Sequence, residues 1–261
     1  MSEQHLPVLF ERRRDHVALV TLNRPEAMNA VNGAVTERLE EIVDACERDD
    51  DIWVVVLTGS GEKVFSAGAD LKEVSKGNLA SLISPRAGFA GFVQSSRTKP
   101  WIAAVGGLAL AGGCELALAC DLIVASDNAA FGLPEVTRGL IASAGGLYRL
   151  PRVLPPAIAK ELILTANRLP AQRAAELGMV NRLVPVGKAV DAALALAAEI
   201  AVNAPVAVRE SLAIASQALD HDDAALHRLS AEAQARVMQT DDFQEGPRAF
   251  IEKRPPHWTG K

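Results

Sequence analysis

Trp101-Ile-Ala-Ala-Val-Gly-Gly-Leu-Ala-Leu-Ala-Gly-Gly-Cys-Glu-Leu-Ala-Leu-Ala-Cys-Asp-Leu-Ile-Val-Ala125 is the stretch that decides the fold of this 261-residue chain. Its two ends, 101–105 and 122–125, are unbroken apolar runs of strand length, the pattern of strands covered on both faces. Between them Gly112-Gly113 opens an Ala-rich segment that reads as a small-residue helix over about 113–120. Glu115 stands inside this apolar company, and a second glutamate closes Phe131-Gly-Leu-Pro-Glu135. Carboxylates are seldom placed there without a partner or a task, because burial disfavours an unpaired charge. The pair is therefore a candidate acid/base site.

Working outward, Val17-Ala-Leu-Val-Thr-Leu22 predicts a strand ended by Asn23-Arg-Pro25. Over 33–47, Val35, Leu39, Ile42, Val43 and Cys46 recur at helical spacing. Trp53-Val-Val-Val-Leu-Thr58 predicts another buried strand, turned by Gly59-Ser-Gly61. Strand, helix and strand repeated in this way imply crossover units and a mainly parallel layered sheet. After Pro151 helices are predicted over 157–165, 171–177, 188–202, 206–218 and 222–240, with Arg182-Leu-Val184 the only strand-like break. The last third is thus expected to be helical, without a sheet of its own, and to pack on the core or on a neighbouring subunit. No internal repeat or low-complexity linker interrupts the chain.

Composition narrows the function classes. A hydrophobic fraction of 49% with only 4% aromatics predicts a core of Ala, Val, Leu and Ile. Net charge is −5 and no basic cluster stands out, which argues against nonspecific nucleic-acid binding. Cys46, Cys114 and Cys120 are too few and too irregular for a disulfide framework or a zinc site, so they are expected to be reduced core thiols. The first ten residues, with Glu3 and Pro7, hold no apolar run of signal-peptide length, and no membrane-length apolar run follows. A cytoplasmic protein without a membrane span is expected. Arg12-Arg13-Arg14 reads as a solvated edge, and His5, His16, His221, His227 and His257 as surface histidines.

Val64-Phe-Ser-Ala-Gly-Ala-Asp-Leu-Lys-Glu73 carries small residues from Ser66 to Ala69, which let backbone approach a ligand, and Asp70 can cap a following helix. The alternative is an ordinary strand-to-helix connection. Gly112-Gly113 likewise reads either as a tight turn or as a helix start whose N–H donates to an anion. Two such loops can supply two converging donors, the geometry of an oxyanion hole.

Ser66-Ala-Gly-Ala-Asp-Leu-Lys72, the run from Ala104 to Glu115, Phe131-Gly-Leu-Pro-Glu135, Gly145-Gly146 with Arg149-Leu150, and the Ala-Ala-Glu-Leu-Gly-Met-Val-Asn-Arg-Leu-Val-Pro order ending at Pro185 resemble the enoyl-CoA hydratase (crotonase) superfamily. The resemblance runs from Asn23-Arg-Pro25 to Phe250-Ile-Glu-Lys-Arg254. Within the superfamily, Ala87-Gly-Phe-Ala-Gly-Phe92, Leu150-Pro-Arg-Val-Leu-Pro-Pro-Ala-Ile158 and Glu245-Gly-Pro-Arg-Ala-Phe-Ile-Glu-Lys-Arg254 are most similar to the carnitinyl-CoA dehydratase branch. The resemblance implies an α/β crotonase spiral of ββα repeats with two roughly perpendicular sheets. Residues 1–200 would form the core carrying the CoA and active sites, and 201–261 a helical oligomerisation region for trimers or dimers of trimers.

By position, the resemblance implies oxyanion donors at the N–H groups of Ala69 and Gly112. It implies Glu115 as base towards water and Glu135 as proton donor to Cα in hydration, with the roles reversed in dehydration. Ala27, Met28, Ala67, Asp70, Leu71 and Lys72 fall in segments that hold CoA in relatives. Lys253 does so too, often from a neighbouring subunit. Taken alone, Glu115 can equally be a helix N-terminal acid, Glu135 a capping acid after Pro134, and the lysines solvated. No cofactor or metal is implied, coenzyme A being part of the substrate. Three departures touch the site walls: Gly107 where most relatives carry Asn, Ala111 where they carry Gly, and Ala142 where Pro is usual. The expected activity is reversible hydration of an enoyl-CoA thioester. The alternatives are an isomerase or thioester hydrolase of the same fold, or a non-catalytic RNA-binding homologue. The quaternary ammonium of a carnitinyl substrate has Phe89, Phe92, Trp101 and Tyr148 as conceivable partners.

Overall fold

In the computed structural model, which describes residues 6–261, the chain opens with an antiparallel hairpin of β1 (Val8–Arg12) and β2 (Val17–Leu22). His5 lies outside the described residues. α1 (Gly33–Arg48) is capped by Asn32, whose side chain accepts from the Val35 N–H at 3.0 Å, and it buries the apolar stripe expected from the sequence. There follow β3 (Val54–Gly59), β4 (Val64–Ser66), α2 (Leu71–Ser75), a two-residue hairpin of β5 (Ile83–Ser84) and β6 (Gly88–Phe89), β7 (Trp101–Val105), β8 (Leu108–Leu110), α3 (Gly112–Ala119), β9 (Leu122–Ser126) and β10 (Ala130–Gly132). The second half runs α4 (Gly146–Val153), α5 (Pro156–Thr165), β11 (Leu169–Pro170), α6 (Ala171–Glu176), β12 (Arg182–Val184), α7 (Ala189–Ala201), α8 (Pro205–Ala215), α9 (Asp223–Val237) and α10 (Asp241–Glu252).

The main sheet has the order β1-β2-β3-β7-β9-β12 and is parallel apart from the β1–β2 edge. Alternation along its strands sorts side chains into two cores. Val17, Leu19, Val54, Val56, Ile102, Ala104 and Val124 pack under α7, which answers with Ala193, Ala197 and Ala201. Alanine at every fourth position presents one small-residue face, so the helix can lie close on the sheet. The intervening residues, among them Val20, Leu22, Val55, Leu57, Ala103 and Val105, join the larger core with α1 and α3. Covered on both faces, these strands read as continuous apolar runs.

The second sheet, in the order β11-β10-β8-β4, positions the site. β4, β8 and β10 are parallel neighbours, so the segments that follow them emerge side by side. These are 67–70, Ala111-Gly112 and Leu133-Pro-Glu135, the three motif segments that lie far apart in sequence. A two-sheet α/β fold flanked by helices is the architecture the crotonase resemblance implies.

Three expectations change. The last third is not free of further strands, because Leu169 and Pro170 pair with Phe131 and Ala130 as β11. Two residues, one of them proline, are too short to carry a period. The helix expected over 222–240 ends at Val237, and Thr240 instead caps α10 by accepting from the Phe243 N–H at 3.2 Å. Asp222 is likewise the cap of α9 rather than its first residue. No single helix among the described residues is long and apolar enough to cross a membrane; α7 and α8 pass only together and are bent by 108° at their junction.

Candidate active site

The 67–70 loop and the start of α3 lie directly against one another. A Cβ built on Gly68 would stand 2.6 Å from the Gly112 nitrogen, and one on Gly113 would stand 2.0 Å from the Ser66 carbonyl oxygen. Glycine is required at this contact because backbone meets backbone. Val31 donates to the Gly68 carbonyl and accepts from the Asp70 N–H, each at 2.8 Å, which holds the loop open around Ala69. The N–H groups of Ala69 and Gly112 have no acceptor among the described residues. They form the first free donors of two abutting segments. Phe89 backs this arrangement: its ring fills the place that a Cβ on Gly112 would occupy, at 2.5 Å.

Glu115 lies on the first turn of α3, every residue of which is buried, and is itself only 3% exposed. Its Oε1 accepts from the Gly146 N–H at 2.9 Å, across to the start of α4. Burial pushes its carboxyl up to about 7. The Gly146 and Ala144 N–H groups and the Arg149 guanidinium oppose this rise, and the nearby charge of Glu135 adds to it. Glu135 opens the short 3-10 turn Glu135–Arg138 after Pro134 and is 9% exposed. Burial raises its carboxyl above the usual range against its own backbone N–H and Arg138. Its Oε2 is buried without a hydrogen-bond partner among the described residues. Two carboxyls biased towards the protonated form, close enough for one to raise the other, can hold and exchange a proton.

The expected CoA segments converge in part. Ala27 ends the short turn Pro25–Ala27, and the Met28 carbonyl accepts from the Ala67 N–H at 3.1 Å, so these three residues share one edge. Met28 and Leu71 are exposed there. Asp70 caps α2 through the Lys72 N–H at 3.1 Å and pairs with Arg24 at 3.0 Å. Against the upward pull of burial, these contacts hold its carboxyl below the usual range. Its carboxylate thus braces the loop. Lys72 is exposed on α2. Lys253 ends α10 in the left-handed region, with φ of 53°, and no hydrogen bond or ion pair joins it to these residues.

Two residues of this region went unread in the sequence. Asn29 is buried, donates to the Ser60 and Val64 carbonyls at 2.9 Å each, and accepts from the Arg24 N–H at 3.0 Å. Arg24 ties the Ala30 carbonyl to Asp70. The only signal was position, immediately around Arg24-Pro25. The three departures occupy distinct surroundings. A Cβ on Gly107 would stand 2.3 Å from the Lys63 carbonyl oxygen, so the 60–63 loop sits where a larger side chain would project. Ala111 adopts φ 52° and ψ −130°, a conformation favouring glycine. Ala142 is buried against Gly146, the donor to Glu115.

A cavity of about 640 Å³ lies elsewhere, between the β1–β2 turn and the C-terminal tail, lined by Arg13, His16, Trp53 and Trp258 among others. All three cysteines are buried and unpaired, as expected. Burial pushes the Cys46 and Cys120 thiols up to about 12 and raises Cys114 further.

Comparison with known proteins identifies the family. The carnitinyl-CoA dehydratase of Proteus mirabilis is 39% identical over 261 aligned residues, covering 95% of this chain and 97% of that protein. The enzyme of the same name from Escherichia coli is 38% identical at the same coverage. Among solved structures, an enoyl-CoA hydratase from Mycobacterium tuberculosis superposes with a TM-score of 0.94 at 46% identity, over 98% of this chain and 100% of that one. A carnitinyl-CoA hydratase from Mycobacterium avium gives 0.77 at 45% identity, again over 98% and 100%. The enoyl-CoA hydratase/isomerase family model matches residues 12–261, and the chain belongs to that family.

Proposed function

We propose that this protein is an enoyl-CoA hydratase, adding water reversibly across the α,β double bond of an enoyl-CoA thioester, with a carnitinyl-type acyl group the first substrate to try. The observation that carries the reading is the juxtaposition of two buried carboxyls with raised proton affinity and two free backbone donors on abutting loops. The thioester oxygen accepts from Ala69 and Gly112 N–H, and the bonds tighten as it gains enolate charge. Each donor of this kind is worth on the order of 3 kcal/mol in rate. In hydration Glu115 takes a proton from the attacking water and Glu135 delivers one to Cα. In dehydration Glu135 takes the Cα proton and Glu115 protonates the departing hydroxyl. Glu115, the more deeply buried, is the better resting place for a single shared proton, which is the state dehydration starts from. A water between the carboxyls returns the proton for the opposite direction.

Ala27, Met28, Ala67, Leu71 and Lys72 hold the CoA portion in this reading, with the Asp70 carboxylate bracing their loop. Lys253 reaches the CoA of a neighbouring subunit, and no cofactor is needed beyond the CoA of the substrate. Residues 1–200 form the catalytic core and 201–261 the oligomerisation region; Phe250 at 85% and Ile251 at 78% exposure support a partnered face on α10. Retention of both glutamates favours hydration over isomerisation, since many isomerases of this fold keep only one of the two carboxylates.

The test is to mix the protein with crotonyl-CoA, crotonobetainyl-CoA and longer enoyl-CoA esters and follow loss of enoyl-thioester absorbance. Turnover of at least one is expected. Absence of turnover with all of them would sink the reading, and the ratio of kcat/KM between esters ranks the acyl groups.

A further inference from the structure

Arg149, part of the Gly145-Gly146…Arg149-Leu150 string, lies on α4 one turn after the residue that donates to Glu115. Its guanidinium forks between two carbonyls: Nη1 donates to Ala144 at 3.1 Å and Nη2 to Val93 at 2.6 Å. Ala144 belongs to the turn that seats Glu115, because it lies two residues before Gly146, whose N–H donates to that carboxylate at 2.9 Å. Val93 belongs to the 87–95 segment, which carries Phe89 behind the Gly112 donor. Arg97 fastens the same segment, donating to the Phe92 carbonyl at 2.5 Å and to the Ala119 carbonyl, the end of α3, at 2.6 Å. The fit around Arg149 is close. A Cβ on Gly145 would stand 2.0 Å from Nη1, and Gly145 has φ of 123°, so neither the turn nor the guanidinium has room for another side chain.

We infer that Arg149 is a positioning residue that locks the hydrogen-bond seat of Glu115 to the segment backing the oxyanion donor of Gly112. The inference rests on the hydratase reading for its kinetic consequence but not for its geometry. A planar guanidinium fork holds the two carbonyls from two rigidly spaced nitrogens, a geometry that an ammonium on a flexible stem does not reproduce. The same group supplies positive charge to Glu115. The other titratable groups facing that carboxyl are Glu135, which opposes its ionisation, and the neighbouring Cys114, whose thiol burial keeps neutral. Arg149 is thus the charge that favours the ionised form of Glu115.

The experiment compares wild type, Arg149→Met and Arg149→Lys. The Glu115 carboxyl is titrated by ¹³C NMR of glutamate-labelled protein, its resonance identified by its loss in Glu115→Gln. In Arg149→Met the Glu115 midpoint is expected to rise, and in Arg149→Lys to return towards wild type. A midpoint unmoved in Arg149→Met overturns the inference. With crotonyl-CoA, both variants are expected to lose kcat by on the order of tenfold or more with KM near wild type, because the seat loosens while CoA contacts remain. Unchanged kcat in both overturns it as well. Should Arg149→Met fail to fold, Arg149→Lys decides through kcat. A wild-type protein inert towards enoyl-CoA refutes the hydratase reading, and the titration still decides the role of Arg149.

Discussion

Glu115 concentrates the electrostatics of the site in one carboxyl. An unfolded glutamate titrates near ~4.3, whereas burial moves this one to about 7 in the folded chain. The folded state therefore binds more protons between those values. Stability falls as pH rises from the unfolded value through about 7 and stays lower above it. The accumulated penalty is on the order of 3 kcal/mol. Glu115→Gln keeps an acceptor for the Gly146 N–H and removes the charge, so in urea melts it should exceed wild type by that order near ~pH 8 and by little near ~pH 4. An equal difference at both pH values would assign the effect to packing instead. The two glutamates and the paired glycines were legible in the sequence because burial of a carboxylate and small-residue turns leave local signatures. Asn29, Arg24 and Arg149 were not legible as braces. Their partners are backbone carbonyls from other elements, as when Arg149 reaches Val93, and such contacts leave no mark in the string.

At the scale of elements, the three chemical segments meet because β4, β8 and β10 are parallel neighbours. Strands of three residues each carry almost no periodic signal, so the second sheet was legible only through the family resemblance. The main-sheet strands were legible directly, since their two-sided burial shows as continuous apolar runs. Helix ends depended on caps: Asn32 opens α1, while Thr240 opens α10 where the sequence pattern continued the preceding helix. The turn into α3 carries strain at Ala111, whose φ of 52° and ψ of −130° favour glycine. Ala111→Gly should relieve it and stabilise the fold by about 1 kcal/mol, after the entropy lost on fixing glycine. Thermal melts check this; a destabilised Ala111→Gly would show that the Ala111 methyl group packs more favourably than the backbone is strained.

Across the whole molecule, the C-terminal tail returns to the body of the chain. Trp258 Nε1 donates to the Val202 carbonyl at 2.7 Å, and the N–H groups of Thr259 and Gly260 donate to Asp242 at 2.7 and 3.0 Å. Asp242 is buried by these contacts. The tail therefore fixes α10 while leaving Phe250 and Ile251 facing outward. We propose that these two exposed apolar residues belong to an association face. Light scattering should accordingly give a mass three or six times that of one chain. A monomer mass would contradict both the oligomerisation region and a neighbour's Lys253 in the CoA site.

The central claim is that Glu115 and Glu135 work as one acid/base pair. It is tested most directly by turnover of crotonyl-CoA in wild type, Glu115→Gln, Glu135→Gln and the double variant. Each single substitution should lower kcat by ~10²–10⁴-fold. The double variant should fall little further, because groups that act as a unit are lost together. Near-wild-type turnover in either single variant, or losses that multiply in the double, would contradict the account.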